Sequence, residues 1–207
     1  MYKVVKRLMD ILIALSALTL FFPFGLLFSL LIALEDKGSP IYHQPRVGKG
    51  RKMFNLFKFR SMIKNADEIL FSDLKFLEKL RSGNHKLKDD PRITRIGSFI
   101  RKYSIDEFPQ FINVLKGEMS FVGPRPFRPD EVERFERENK EAKVLIDKVL
   151  SVKPGITGLW QTGGRSEVTF DQRIRIEVDY VKRCSFFLDM YIILKTPFAV
   201  LKARGAL

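Results

Sequence analysis

Two adjacent carboxylates, Asp106 and Glu107, stand in the part of the chain richest in reactive chemistry. Arg92, Arg95, Arg101 and Lys102 precede them, and Arg125 follows in a Gly-Pro-Arg-Pro turn. Arginines bind phosphate oxygens bidentately, carboxylates hold Mg²⁺, and a carboxylate can itself attack phosphorus to give an acyl phosphate. These are the parts of a phosphoryl-transfer site. The plainer reading is a helix N-terminus stabilised by its two carboxylates, worth ~0.3–1 kcal/mol. Spacing alone does not establish that the groups converge. Other chemistries have fewer materials. Cys184 is the single cysteine, so an intrachain disulfide and a multi-cysteine metal site are excluded. His43 and His85 are the only histidines, too few for a His-built zinc site.

The pair needs elements to hold it. Ser104 is in place to cap a helix, with Glu107 three residues on to close a capping box. That helix is expected to run to about Lys116 and stop at Gly117. Before it, Ile93 to Lys102 reads as a short helix with Ile96, Phe99 and Ile100 on one face. Ile41-Tyr42 and Met53 to Phe59 read as short strands or extended loops. The cations Arg46, Lys49, Arg51, Lys52, Lys58 and Arg60 interleave there with Phe54, Phe57 and Phe59. That pattern suits solvated charges around core aromatics better than a nucleic-acid stripe. Ala66 to Leu80 has helical periodicity, and Ser82 to Asp90 is a polar loop. Pro129 opens a charged helix carrying Val132, Phe135, Val144, Leu145 and Val149. In the turn-rich stretch from Pro154 to Gly164, Trp160 is either a core aromatic or a pocket wall. Thr169 opens a helix with Ile174, Val178 and Val181. Phe186 to Leu194 is apolar except for Asp189, and is core or interfacial. Together these predict an α+β fold, mainly helical, with a small soluble domain and amphipathic helices at an interface.

The formal charge is +13, from 37 Lys and Arg against 24 Asp and Glu, which points to polyanionic partners without choosing among nucleic acid, anionic lipid and phosphorylated small molecules. No charged residue occurs from Ile11 to Leu34. As a helix at ~1.5 Å per residue this run is about 36 Å long, enough to cross a hydrocarbon core of ~30 Å. A secretory signal fits poorly, because the apolar run is longer than the usual ~7–15-residue h-region and no small-x-small cleavage site follows it before Glu35 and Asp36. Three dispositions remain: a spanning helix, a buried core helix, or a hairpin that enters and leaves one leaflet. Pro23 at the middle should kink the helix. Basic residues flank both ends, with Lys3, Lys6 and Arg7 before and Lys37, Arg46 and Lys49 after. Positive flanks on both sides favour the re-entrant hairpin, with a straight helix tolerating its proline as the alternative. The expected division is an anchor over 1–36 and a soluble domain over 37–207.

The motifs, taken in order, resemble those of the bacterial sugar-transferase family, the monotopic polyprenyl-phosphate phosphoglycosyl transferases. The matching pieces are the apolar segment with its central proline, F-K-F-R-S-M at Phe57 to Met62, and D-P-R-I-T-R-I-G at Asp90 to Gly97. S-I-D-E-F-P-Q at Ser104 to Gln110, N-V-L-K-G-E-M-S-F-V-G-P-R-P at Asn113 to Pro126 and P-G-I-T-G-L-W-Q at Pro154 to Gln161 complete the set. The resemblance implies transfer of sugar 1-phosphate from a UDP-sugar to undecaprenyl phosphate at the cytoplasmic face of the bacterial inner membrane, with release of UMP. It implies Asp106 as nucleophile, Glu107 as its support, and Mg²⁺ held by the two. It places Arg101, Arg125, Lys58 and Arg60 as phosphate-binding cations and Trp160 and Gln161 in a nucleotide-sugar pocket. Gly164-Arg165 and the helix after Thr169 point weakly to a hexose. The family commonly has serine before the central proline, where this chain has Phe22, and many relatives carry further N-terminal helices and a domain. The chain is therefore expected to be the minimal catalytic unit, with membrane lipid and its two substrates as partners, no nucleic acid, and a homodimer compatible with its size. Competing readings are a glycosyltransferase releasing UDP and a basic, non-enzymatic membrane adaptor.

Overall fold

The computed structural model describes residues 2–66, 68–69, 90–138, 141–163 and 168–201. The helix expected over Ala66 to Leu80, the polar stretch from Ser82 and the Gly164-Arg165 pair fall, apart from a few flanking residues, outside the described residues.

The apolar N-terminal run forms one helix, α1 (Tyr2–Asp36), of 35 residues with Pro23 inside it. At ~1.5 Å per residue it is about 52 Å long, and it is long and apolar enough to cross a membrane. It is continuous through Pro23 and does not fold back as two antiparallel helices. One stripe of it packs on the rest of the protein. Ala14 joins Leu56, Val114 and Met119 in one core cluster, and Ile32 joins Phe59 and Ile100 in another. The remaining circumference presents Leu8, Leu12, Leu20, Phe22, Phe24, Leu30 and Leu34 outward.

Both ends of α1 are tied by polar contacts to the rest of the protein. Near its start, Lys6 reaches Asp189 at 2.7 Å and donates to the Val122 carbonyl, while Arg7 donates to the carbonyls of Val114 and Leu115. At its end, Arg60 pairs with Asp36 and donates to the Ile32 carbonyl.

The expected strands form an antiparallel hairpin, β1 (Ile41–Val47) and β2 (Met53–Phe59), in register from Ile41 opposite Phe59 to Val47 opposite Met53. Pro45 is tolerated because β1 is an edge strand. Gly50, at φ 64°, makes the left-handed turn that joins them. Next come α2 (Arg95–Lys102) and α3 (Gln110–Lys116), then β3 (Ser120–Val122). α4 (Pro129–Glu138), α5 (Ala142–Val149), β4 (Gly155–Thr157) and the single turn α6 (Leu159–Thr162) follow, and α7 (Phe170–Arg183) and α8 (Phe186–Leu201) end the described chain.

Several expectations meet the structure here. Thr169 caps α7 with a complete capping box to Gln172. The helix expected from Pro129 to Val149 is two helices, and Val144 points outward while Val132, Phe135 and Val149 are buried. In α2, Ile100 is buried, but Phe99 turns away from the core to stack on Phe28 of α1. α8 is both core and surface: Ile192 and Asp189 are buried while Phe187 is 83% exposed. The largest apolar cluster gathers α4, α5 and α7 against the end of β1 and Phe127. It forms the floor beneath the Gly-Pro-Arg-Pro turn.

Candidate active site

Asp106 and Glu107 lie in a 3₁₀ turn, Ile105–Glu107, rather than in the first turn of an α-helix. The capping box expected at Ser104 is absent. Ser104 adopts the left-handed conformation, φ 57°, and its side chain caps nothing. The α-helix begins only at Gln110, after Pro109, and ends as expected at Gly117, which is left-handed at φ 81°. A left-handed residue other than glycine carries a local conformational cost and is concentrated at functional sites. The turn is fixed by its neighbours: Ile105 and Phe108 pack into the cluster of Ile32, Phe59 and Ile100. With those two side chains anchored inward, Asp106 and Glu107 are left facing β2.

There they meet Lys58. Its Nζ lies 3.5 Å from Asp106 Oδ2 and 3.4 Å from Glu107 Oε1. Glu107 Oε1 also takes the Arg125 guanidinium at 3.0 Å. Four of the residues proposed from sequence therefore converge: Asp106, Glu107, Lys58 and Arg125. Arg101, in the last turn of α2, acts on Asp106 through its charge. Arg60 faces elsewhere, turned to Asp36 at the end of α1. Trp160 stands beside Arg125, whose guanidinium carbon is 5.7 Å from the ring centroid. Gln161, next to it on α6, is buried.

The two carboxylates differ in basicity. Burial pushes the Asp106 carboxyl above the usual carboxylate range, and Glu107 pushes it the same way, against the opposing pull of Lys58. Burial acts on Glu107 too, but Arg125 and Lys58 overcome it and hold that carboxyl well below the usual range. The site therefore holds one firmly ionised carboxylate beside a more basic one, a division of roles that marks functional sites. The Asp106 side chain keeps 12% exposure, enough to be reached from outside.

Among the described residues no three His, Cys, Asp or Glu side chains gather as a metal cage. Mg²⁺ is commonly bound by one or two carboxylates plus substrate phosphates. Two adjacent carboxylates beside Lys58 and Arg125 suit that kind of shared site, and an all-protein cage is not needed.

The Gly-Pro-Arg-Pro and Pro-Gly-Ile-Thr-Gly segments, read apart in the sequence, are two halves of one crossing. β3 and β4 pair in parallel, Gly123 N–H donates to the Thr157 carbonyl, and Gly155 N–H donates to the Pro124 carbonyl at 2.7 Å. A Cβ at Gly155 would lie 2.1 Å from Gly123 N, so the glycines are required by backbone contact. The sequence reading missed the charges beneath this crossing: Arg46, Glu131, Arg173 and Glu177. Arg46, Arg173 and Glu177 are buried, and Arg173 is enclosed by the rings of Phe127, Trp160 and Phe170 at 4.7, 4.8 and 5.5 Å. A signal for two of them existed. Arg173 and Glu177, four apart, flank Ile174 and Val178 on the inner stripe of α7.

Comparison with known proteins gives the class. A family model described as bacterial sugar transferase matches residues 1–203, and the chain belongs to that family. It is 44% identical over 204 residues to the UDP-galactose-lipid carrier transferase of Erwinia amylovora, covering 97% of this chain and 41% of that protein. It is 40% identical over 205 residues to the exopolysaccharide production protein ExoY of Rhizobium meliloti, covering 97% of this chain and 87% of that one. With the undecaprenyl-phosphate galactose phosphotransferase of Salmonella typhimurium it shares 45% identity over 175 residues, 83% of this chain and 35% of the other. The chain thus spans about two fifths of the Erwinia relative, about a third of the Salmonella one, and most of ExoY.

Proposed function

We propose that the protein transfers sugar 1-phosphate from a UDP-sugar to undecaprenyl phosphate, with release of UMP, through a covalent intermediate on Asp106. The observation that carries this reading is the asymmetric pair: a basic carboxylate at Asp106 beside a firmly ionised Glu107, bracketed by Lys58 and Arg125. The names of the relatives agree with it in substrate class.

The chemistry balances in two displacements. An Asp106 oxygen attacks the phosphorus that bears the sugar. The bond from that phosphorus to the bridging oxygen breaks, and UMP leaves with the oxygen and its electron pair. An oxygen of undecaprenyl phosphate then attacks the same phosphorus, the acyl-phosphate bond breaks, and the Asp106 carboxylate is regenerated. A covalent step lets two mutually repelling anions visit one site in turn. Lys58 and Arg125 are placed to neutralise charge in the transition state, where preorganised cations act most strongly. Asp106 and Glu107 would hold Mg²⁺ together with substrate phosphates, and the ion would supply further charge neutralisation there.

The anchor follows the same logic. Lys6 with Asp189 and Arg60 with Asp36 tie both ends of α1 to the body that carries the carboxylate pair. Ties of this kind at both ends support α1 entering a single leaflet alongside the body rather than spanning the bilayer, with the helix continuous through Pro23. Positive flanks favour the cytoplasmic face. Its exposed leucines and phenylalanines would then meet lipid, and the turn bearing Asp106, held against α1 through Phe108 and Phe21, would lie near the headgroups.

The test is release of nucleotide from the full chain in detergent or nanodiscs, with undecaprenyl phosphate, Mg²⁺ and a panel of UDP-sugars. UMP with a lipid-linked sugar diphosphate is the expected outcome; UDP would assign the protein to ordinary glycosyl transfer.

A further inference from the structure

We propose that Glu177, with Arg173, is a positioning residue: it holds the Arg125 peptide so that the Arg125 guanidinium meets Glu107. The catalytic consequence rests on the proposed phosphoglycosyl transfer; the structural one does not.

The case begins with the turn itself. In Pro124-Arg125-Pro126 the two prolines have no N–H, so Arg125 carries the turn's single backbone donor. That donor goes to Glu177 Oε1 at 2.9 Å. The Arg125 carbonyl accepts from Arg173 Nη2 at 3.2 Å. The neighbouring carbonyls are held too, Pro124 by Gly155 N–H at 2.7 Å and Pro126 by Arg46 Nη1 at 3.4 Å. The carbonyls of Pro124, Arg125 and Pro126 and the Arg125 N–H are therefore all bonded, and both groups of Arg125 itself are bonded by charged side chains of α7.

Those side chains sit where charge is expensive. Glu177 is 0% exposed and Arg173 is 7% exposed. Burial pushes the Glu177 carboxyl up to about 7 despite the nearby Arg173. Replacing buried ions by apolar residues is often neutral or stabilising, so such a network is weak as a stability device and is better explained by geometry. The geometry is specific. Arg173 is stacked among three rings, which fixes the fork that grips the Arg125 carbonyl, and α7 is itself registered by its capping box. A first contact is only as well placed as the groups that support it. Here the chain runs from α7 through the Arg125 peptide to its guanidinium and then to Glu107 Oε1, 3.0 Å away.

The variants separate position from mere folding. Glu177→Gln keeps an oxygen that can accept the Arg125 N–H, and Glu177→Leu does not. The expected result is that Gln retains kcat within about threefold while Leu lowers it about 10- to 100-fold, the scale of a small misplacement of a catalytic group. In an Arg125→Ala background, Glu177→Leu should lower kcat no further, because the group it positions is gone. An equal loss in both backgrounds would mean a general structural role and overturn the proposal. Amide exchange gives an arm independent of turnover. The Arg125 amide, the lone N–H of the turn, should be protected like the core in the wild type and in Glu177→Gln. Fast exchange there in the wild type overturns the clamp even if Glu177→Leu does not fold. Absence of UMP from the wild type, with the amide protected, would instead remove the functional reading and leave the clamp standing.

Discussion

Asp189 and Asp106 are both buried aspartates beside a lysine, yet they are treated differently by their surroundings. Asp189 is saturated. Its Oδ1 accepts from Tyr180 at 2.8 Å, and its Oδ2 accepts from Tyr2 at 2.8 Å and from Lys6 at 2.7 Å. It ties α8, α7 and the start of α1 into one node, with no exposure left. Asp106 meets Lys58 only at 3.5 Å, and among the described residues no shorter hydrogen bond reaches its carboxylate. A carboxylate bonded at both oxygens by three donors is a good rivet and a poor nucleophile, since its lone pairs are largely engaged. One left under-bonded in a buried turn is available for chemistry. Asp10, with Ser120 and the Phe121 N–H at 2.9 and 2.8 Å, belongs with the rivets.

The largest effect should separate the two outright. Asp106→Asn should lower turnover by at least about a thousandfold, because an amide cannot form the acyl phosphate, and the protein should remain folded. UMP release measured alongside an unfolding curve checks both halves. Full activity in this variant would remove the nucleophile and with it the contrast.

Asp189→Leu should do the reverse. It removes the charged partner of Lys6 and the carboxylate acceptor of Tyr2 and Tyr180, and breaking a buried pair in this way costs about 3 kcal/mol. Denaturant unfolding in a fixed detergent should register that loss. Turnover per folded molecule should stay near that of the parent, since the partners of Asp189 are Tyr2, Lys6 and Tyr180 rather than Asp106, Glu107, Lys58 or Arg125. A specific loss of kcat without a loss of stability would show that the node also serves the site.

The contrast explains what could be read from the linear chain. Asp106, Glu107 and Arg125 stand in dense, short motifs, and their meeting with Lys58 follows because the motif strand β2 lies directly across from the 3₁₀ turn. Gly117 and Thr169 ended and began helices as local chemistry demands. Partnerships across large separations were hidden. Arg60 has the same motif context as Lys58 but is claimed by Asp36 at the end of α1, and the reach of α1 along the body is a tertiary fact. The inferred cap at Ser104 failed for a related reason. Core packing of Ile105 and Phe108 outweighs a capping preference of about 1 kcal/mol and imposes a 3₁₀ turn. Arg173 and Glu177 were masked because charged residues on a charged helix look solvated until the aromatic walls of Phe127, Trp160 and Phe170 are seen to enclose one of them.

The smallest effect is the sharpest test, because its sign is opposite for the two neighbouring carboxylates, Asp106 and Glu107. The Asp106 carboxyl titrates above its unfolded value because burial disfavours its charge. The folded state therefore binds that proton more tightly than the unfolded chain does. Any stability this confers is present below the unfolded pKa and is lost as pH rises through the folded one, so at neutral pH the ionised group is a liability to folding. Glu107 runs the other way. Its lowered pKa gives stability that is present above the unfolded value and lost as pH falls through the folded one. Asp106→Asn removes only the first contribution. Its unfolding midpoint at neutral pH should be no lower than the parent's, and any advantage should shrink as the pH is lowered and the parent's Asp106 takes up its proton. A destabilised Asp106→Asn at neutral pH would place that residue among the rivets, and its activity loss would then have to be read as a loss of structure.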